Sequence, residues 1–357
     1  MKQSIVLSEL TVQQITSSRH IGACDDRRKN METNTTIEPK QKVYFDLTTS
    51  PHLHSKWSTS KVMWFVVAAL IPSIVAAITF FGWMQIFIII TAVVFAVGTE
   101  AAIQSIRKKK VTWFDGSAAL TGLLLALTLP PNFSLSATAI GSVVAIGLGK
   151  QIFGGLGYNI FNPALVGRAF LQAAFPVQIT TWVKPNFAVD SVTSATPLAA
   201  FKFDKIFTDT VPMAIGNVGG SLGETSAIAV LVGGILLISV GIVNWRIPLS
   251  MIIGMFLFGG LFWFINPQNP SPVFHIFAGS FLFGAMFMAT DWVTSPITNK
   301  GMWIFGLGIS LVLVVIRIYG GLPEGVMYSI LFMNGFVPLI NRFTKPTIFG
   351  VVKEEKK

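Results

Sequence analysis

The sequence predicts an all-α polytopic membrane protein, with ten transmembrane helices arranged as two inverted five-helix repeats containing broken helices. Three observations predict it. Only 12% of the 357 residues are charged, against about 25% in a soluble domain, and the mean hydropathy is +0.66. The apolar residues stand in long blocks of membrane-spanning length, without the alternating or 3.6-residue patterns of a soluble core. Two of these blocks also resemble each other at a fixed spacing.

The chain opens on a polar tail, residues 1–59, with "CDDRRKN" at 24–30 and no apolar stretch of the kind a cleavable signal peptide needs. This tail reads as disordered and cytoplasmic, with Met31 an alternative start, and its first thirty residues carry no functional signal. Residues 60–176 form the first repeat, with spans near 61–81, 84–106, 116–130, 133–149 and 159–176. Residues 177–224 form an external loop. Residues 225–341 form the second repeat, with spans near 225–243, 247–265, 273–290, 302–319 and 323–340, and 342–357 form a C-terminal tail. Several spans fall short of the ~20 residues that a plain crossing helix needs. The short ones, "GSAALTGLLLALTLPPN" and "GGLGYNIFNPALVG", are rich in Gly and Pro. Broken helices of that kind survive only where protein or a cavity covers the exposed backbone.

Charge sets the direction. With the N-terminus inside, the inner segments carry nine Lys/Arg through Lys61, four in "RKKK" at 107–110, one each at Lys150, Arg246 and Lys300, and five in the C-terminal tail. The outer segments hold only Lys184, Lys202 and Lys205, while Arg168 and Arg317 lie within spans. The positive-inside rule then places both termini in the cytoplasm and the 177–224 loop outside. The net charge of +10 has its source in these helix ends and does not indicate a nucleic-acid partner.

The repeat rests on "GSAALTGLLLALTLPP" and "AGSFLFGAMFMATDWVTSP", where Gly122 and Thr128 align with Gly284 and Thr290. Looser echoes pair "YNIFNPALVGR" (158–168) with "MNGFVPLINR" (333–342). An odd number of spans per repeat forces the halves into opposite orientations, which places binding sites between them. A composition shared by Gly- and Thr-rich membrane helices is the rival explanation.

Redox chemistry based on metals is excluded within this chain. Cys24 is the lone cysteine, so no iron–sulfur cluster has its ligands here. Of the four histidines, only His275 falls in an apolar segment, which excludes a bis-histidine haem, and it reads as an interfacial or core residue. Any redox cofactor is therefore organic, with no metal site and no catalytic residue assigned.

The external loop contains "NFAVDSVTSATPLAAFKFD" (186–204), a long hydroxyl-rich run in a chain that is 52% hydrophobic. Loops beyond ~12–15 residues tend to be functional or disordered. Its grammar, Asp190, then Thr193-Ser194-Ala195-Thr196, then Pro197-Leu198, resembles the site at which a flavin transferase joins FMN to threonine in the RnfD/NqrB family. "DGSAALTGLLLALTLPP", "GGLGYNIFNPALVGRAFLQAAFP", "GAMFMATDWVTSP", "MNGFVPLINRFTKPTIFG" and "TSPHLHSKWSTSKVMWFVVAALIPS" fit the same family, so the resemblance covers about 44–350. The length is similar to that of RnfD rather than the longer NqrB.

The resemblance implies covalent FMN on Thr196. It suggests that Asp190 helps the transferase recognise the site or position its metal. Of the other residues at the flavin site, Ala195 keeps the approach to the threonine open, and Ser194, like Thr193, is read as shaping the turn. It further implies a noncovalent riboflavin toward the cytoplasmic side, at Asn159, Asn162 and Asp291. Asn amides can pair with both edges of a uracil-like ring, although both residues also suit the capping of a broken helix. Ionisable residues within spans are expensive and functional by default, which selects Glu100 and Asp291 as candidates for handling Na⁺ or H⁺. A buried pair with a base is the alternative for both, and Asp115 reads as a helix cap. Asn341 stands where related chains often carry an acid, which removes that position from the ion path.

By resemblance, then, the chain is an electron-carrying membrane subunit of an ion-translocating ferredoxin:NAD⁺ oxidoreductase, in the bacterial inner membrane. Its implied partners are the other Rnf-type membrane subunits, including a second covalent-FMN subunit and iron–sulfur subunits, together with a flavin transferase and the lipid bilayer. Two rival readings are an NqrB-like quinone-reducing subunit and a non-redox solute channel or transporter on the same plan.

Overall fold

Apolar blocks broken by Gly and Pro favour helix wherever the chain crosses the bundle. Among the described residues of the computed structural model, 57–185 and 195–346, there are α-helices and short π-turns but no β-strand. These residues belong to one unit, Ser55–Lys357. Most of the N-terminal tail lies outside the described residues, as do Asp190 and Ser194.

Ser58 caps α1 (Thr59–Ala69) by accepting from the Lys61 amide at 3.3 Å. Pro72 then starts α2 (Ile71–Phe81), so that Thr59–Phe81 makes one crossing with a joint at Leu70. Next comes α3 (Gln85–Ile106), a full-length span. The fourth helix, α4 (Ser117–Leu127), has only 11 residues, or ~16 Å at 1.5 Å per residue, about half a bilayer core. It stops at Thr128, two residues before the Pro130-Pro131 pair. Helix α5 (Leu135–Ile146) runs on into a π-turn, Gly147–Gln151.

The expected span at 159–176 begins later. Gly154, Gly155 and Gly157 take φ of 124°, 109° and 92°, which breaks the chain, and α6 (Pro163–Ala174) starts only after Asn162. The stretch 152–162 is therefore irregular backbone.

The expected external loop is folded. It carries α7 (Pro176–Thr180), α8 (Pro197–Ala199) with a π-turn at Ala200–Asp204, and α9 (Thr210–Ile215). Leu198, Phe201 and Met213 pack with Phe274 and Ala278 into a small apolar cluster of their own. The segment after α9 supplies cover for the half-length α4. Gly223 donates to Leu127 O at 2.7 Å and Leu222 to Leu129 O at 3.1 Å, filling carbonyls that the helix end leaves open. A Cβ on Gly223 would stand 2.8 Å from Leu127 Cβ, so glycine permits the approach.

The second half begins with α10 (Ala227–Ser239). Then α11 (Arg246–Gly254), a π-turn and α12 (Gly260–Ile265) run as one crossing, Arg246–Ile265. The block at 273–290 is broken as expected: α13 (Pro272–Phe277) ends before Gly279 at φ 68°, and α14 (Phe281–Phe283) leads into a π-turn, Gly284–Met288. Two full-length spans close the bundle, α15 (Asn299–Tyr319) and α16 (Val326–Phe343), the latter with Pro338 inside. Among the described residues, five crossings are thus long and apolar enough to span a membrane, and the remaining expected spans are short or broken.

The packing echoes itself: α3 lies on α5 and α5 on α6, as α11 lies on α15 and α15 on α16. The repeated threonines behave alike too. Thr128 donates back to Leu125 O at 2.7 Å and Thr290 to Met286 O at 2.8 Å, each closing the end of a broken helix.

The core runs through both halves, with Leu125, Leu127, Phe281 and Phe305 fully enclosed. The outer faces expose Ile71, Val75, Ile90, Val94, Val232 and Phe264, as a lipid-facing surface requires. Glycine sets the closest approaches. A Cβ on Gly233 would lie 2.1 Å from the Ala69 carbonyl oxygen, so α10 touches the α1–α2 joint backbone to backbone. Gly233→Ala is expected to cost about 1–3 kcal/mol by overpacking. Gly98, with no atom within 4 Å of its Cβ position, gains stability from the same change through helix propensity. Thermal unfolding of the two variants in detergent checks the contrast; equal melting temperatures would contradict this packing.

Candidate functional site

Two clefts carry the sequence-predicted residues. The first is formed where the irregular 152–162 stretch meets the broken second-half helix, and measures about 770 Å³ counted out to its open mouth. That figure takes in open solvent; the enclosed space is about 90 Å³, below the ~300–1,000 Å³ usual for small-molecule sites. Asn159, Asn162 and Asp291 all line it, together with Ser117 and Lys150, so the three residues assigned to one ligand do converge.

Their hydrogen bonds differ in kind. Asn162 is fully used by the fold. Its Oδ1 accepts from Ala164 N at 3.0 Å as the cap of α6, and its Nδ2 donates to Met288 O at 3.1 Å across the two halves. Asn334 completes this joint, accepting from the Asn162 amide at 3.2 Å in the orientation its neighbours require. Asn159 donates to Phe161 O at 3.3 Å and also meets the Asp291 carboxyl. Thr294 donates to Asp291 Oδ2 at 3.1 Å. Asn159 and Asp291 thus present a linked polar edge to the cleft, while Asn162 mainly holds its wall.

Glu100 lies behind this wall in an ion pair. Lys150 Nζ, on the π-turn after α5, stands 2.8 Å from both Glu100 oxygens, with both side chains only 2–3% exposed. Gln151 and Gln104 donate to Glu100 Oε1 at 2.9 and 3.3 Å. Lys150 also donates to Ser117 Oγ at 2.6 Å, and Ser117 donates to Asp115 Oδ1 at 2.8 Å. Asp115 accepts the Ser117 amide at 2.9 Å as well, the cap expected of it. The charge count treated Lys150 as a loop lysine, but its ammonium is an interior group. The sequence offered a buried pair with a base for Glu100, as found, but could not name Lys150 because fifty residues separate the partners.

The second cleft is smaller, about 270 Å³ to its mouth, and is lined by Thr196, Gly219, Gly220, Glu224 and Gly279 among others. Thr196 caps α8, its Oγ1 accepting from Ala199 N at 3.2 Å, and it is only 2% exposed. Ala195 precedes it at the surface. A hydroxyl in an external loop was the expectation; the hydroxyl lies instead at the floor of a glycine-walled cleft.

The segment bearing Thr196 is fastened to the second half. Lys202 donates to the carbonyls of Arg317 (3.3 Å), Gly320 and Leu322 (3.1 Å), filling the C-terminal end of α15 with a cation. Burial, with Lys205 nearby, holds this ammonium below the usual lysine pKa. Arg317 in turn donates to His275 O at 2.5 Å and Ala278 O at 2.9 Å, so His275 is a core residue here, 1% exposed.

Sequence reasoning passed over Glu224 and Glu324. Glu324 Oε2 accepts from Arg168 Nη2 at 2.6 Å, an ion pair that joins α6 to the start of α16. Glu224 faces the same cluster, its Oε1 accepting from Ser221 N at 2.9 Å. Both acids sit at span edges beside glycines, in "SLGETS" and "GLPEG", where a rule for charges inside spans does not reach.

The smaller cleft encloses only about 10 Å³, so the phosphoester end of a flavin would sit in its mouth beside Thr196 and not inside it. Gly219, Gly220 and Gly279 line the cleft without side chains, and Arg317 Nη2 stands 3.6 Å from the Gly279 Cβ position. The larger cleft has apolar walls from Val62, Leu124 and Phe287, with Asn159 and Asp291 at one edge.

Comparison with known proteins agrees with this architecture. The model of the NQR2, RnfD, RnfE family matches residues 46–350. The D subunit of the proton-translocating ferredoxin:NAD(+) oxidoreductase complex of Clostridium ljungdahlii is 45% identical over 325 residues, covering 87% of this chain and 97% of that protein. The D subunit of the Na(+)-translocating ferredoxin:NAD(+) oxidoreductase complex of Acetobacterium woodii is 42% identical over 317 residues, covering 87% and 97%. Its counterpart in the ion-translocating oxidoreductase complex of Klebsiella pneumoniae is 36% identical over 346 residues, covering 86% and 99%. The chain belongs to the NQR2, RnfD, RnfE family.

Proposed function

We propose that the protein is the electron-carrying membrane subunit of an ion-translocating ferredoxin:NAD⁺ oxidoreductase complex, with FMN joined through a phosphoester to Thr196. The observation that carries this reading is the coincidence of motif and cleft. The threonine of "DSVTSATPL" lines a glycine-walled cavity in a chain that matches the D subunits of such complexes over most of its length. A bound flavin supplies exchange between one- and two-electron donors. The chain supplies the oxygen at Thr196, the glycine walls, the Lys202 fastening and the arginines behind them.

Ten spans in two inverted five-helix repeats suit this function. The echoed packing and the paired threonine breaks support that plan, and it puts the half-length helices at the seam where the clefts lie. By the charge count, Thr196 faces outward from the bacterial inner membrane and the larger cleft faces the cytoplasm. Iron–sulfur and nicotinamide chemistry, along with a second covalent-FMN subunit, belong to partner subunits. A flavin transferase matures the chain. Glu100 and Asp291 remain the candidates for the Na⁺ or H⁺ path, Glu100 through its exchange with Lys150.

The larger cleft takes a noncovalent riboflavin, with Asn159 and Asp291 at its polar edge. Asn159→Leu is expected to remove the flavin that denaturation releases while leaving the covalent flavin in place; equal release from both proteins would contradict this site. In-gel fluorescence of the denatured protein, co-expressed with its transferase, tests the main reading. A fluorescent wild-type band that is absent in Thr196→Val supports it. A dark wild-type band, beside a fluorescent control substrate, favours a non-redox transporter on the same fold.

A further inference from the structure

Behind Thr196 lies a group of charged side chains whose two acids the proposed electron chemistry does not use. Two acids meet there from different elements, Glu224 from the segment before α10 and Glu324 from the turn before α16. Facing them are Arg168 on α6 and Arg317 on α15, with Tyr328 on α16 beside Arg168 and His275 on α13 beside Arg317. The Gly279 Cβ position ties the group together: it is 3.6 Å from Arg317 Nη2 and 4.0 Å from Glu324 Oε1, and Gly279 lines the same cleft as Thr196 and Glu224.

The bonding is incomplete in a patterned way. Arg168 satisfies Glu324 Oε2, whereas Arg317 spends both its terminal nitrogens on backbone carbonyls and a histidine. Glu224 therefore receives no hydrogen bond from a guanidinium. One oxygen on each acid, Glu224 Oε2 and Glu324 Oε1, lacks a donor, and the Nε of each arginine lacks an acceptor, both arginines being 4% exposed. A missing donor at these two enclosed carboxylate oxygens is filled most simply by a proton. Two guanidiniums at the same place oppose a metal cation, and among the described residues no cluster of three metal-binding side chains occurs.

We propose that Glu224 and Glu324 form a proton-binding acid pair that shares one proton, and that its occupancy follows the charge carried at Thr196. Two carboxylates in one enclosed site do not both ionise readily, and the proton belongs to the pair rather than to either member. Burial, with the charge of Glu324 second, pushes Glu224 up to about 7, against the pull of Arg168. The coupling half rests on the phosphoester reading. There a neutral hydroxyl becomes a singly negative ester in the cleft that Glu224 lines, and the pair takes up one proton from water to offset it. The acid pair itself does not depend on that reading.

Infrared titration of the purified full-length protein tests both halves, through the C=O stretch of a protonated carboxylic acid. In wild type the band is expected at about pH 6 and lost toward about pH 9, and Glu224→Gln removes it. Glu224→Asp keeps an acid in place and keeps a band, which separates loss of the proton from loss of the fold. A band unchanged by Glu224→Gln would overturn the pair. Flavin-bearing wild type is expected to titrate at least about one pH unit higher than flavin-free Thr196→Val, a tenfold gain in proton affinity. Equal midpoints in two proteins that differ in bound flavin would overturn the coupling. A wild type without covalent flavin sinks the phosphoester reading, while its band still answers for the pair.

Stability gives a second readout. The unfolded chain releases this proton near the ordinary value of 4.5 and the folded chain near 7, so the raised value costs stability as pH rises through that window. Glu224→Gln flattens that decline.

Discussion

Thr196→Val is expected to abolish covalent flavin and reduce ferredoxin-dependent NAD⁺ reduction by the assembled complex to background. Valine is nearly isosteric with threonine and keeps the β-branch, so the buried site is filled as before. What it lacks is the oxygen on which a phosphoester forms. It also lacks the cap to the Ala199 amide, a loss worth about 1 kcal/mol, too small to unfold the protein. Thr196→Ser restores an oxygen at the same backbone position and is expected to recover part of the flavin and part of the activity. Membranes from the two strains, assayed for NAD⁺ reduction and for the amount of assembled complex, separate lost electron transfer from lost assembly. Full activity in Thr196→Val would remove this residue from the electron path.

Lys150→Met carries the largest expected effect on stability. It leaves the Glu100 carboxylate, 2% exposed, with only the amides of Gln151 and Gln104 as partners. Removing one member of a buried ion pair typically costs about 3–5 kcal/mol, because the other charge stays buried and uncompensated. Combining Lys150→Met with Glu100→Gln removes both charges and is expected to recover most of that loss. Melting temperatures of the single and double variants in detergent form the test. A double variant as unstable as Lys150→Met alone would show that the lysine acts through its packing instead of its charge.

Much of this architecture was legible in the sequence, for identifiable reasons. Hydropathy located the full-length crossings because a lipid-facing helix must be apolar over most of its length, as Gln85–Ile106 and Asn299–Tyr319 are. Gly and Pro marked the breaks at 128–131 and near 279 because those residues stop helices wherever they fall. Asp115 was readable as a cap, since capping is local. Other features are tertiary and left no local trace. The start of the expected 159–176 span moved to Pro163 because three glycines adopt positive φ and Asn162 supplies the cap, a combination that hydropathy averages away. Lys150 pairs across 50 residues and Arg168 across 156, so no window of sequence contains either ion pair.

The candidate site divides along the same line. Asn159, Asn162 and Asp291 come from both halves and meet in one cleft, as the resemblance implied. Thr196 could be named from its motif, whereas its near-complete burial could not, because the walls come from Gly219, Gly220 and Gly279, which lie far along the chain. Asp190 and Ser194 lie outside the described residues.

The choice of hydroxyl is where the covalent-flavin reading is most exposed to test, because Ser191, Thr193 and Ser194 stand within five residues of Thr196. Tandem mass spectrometry of the peptide containing residues 186–202, from protein matured with its transferase, locates the ester directly. A fragment series that places the mass of one FMN, less one water, on Thr196 is the predicted result. The same mass on Ser191, Thr193 or Ser194, or no added mass with an active transferase, would contradict it.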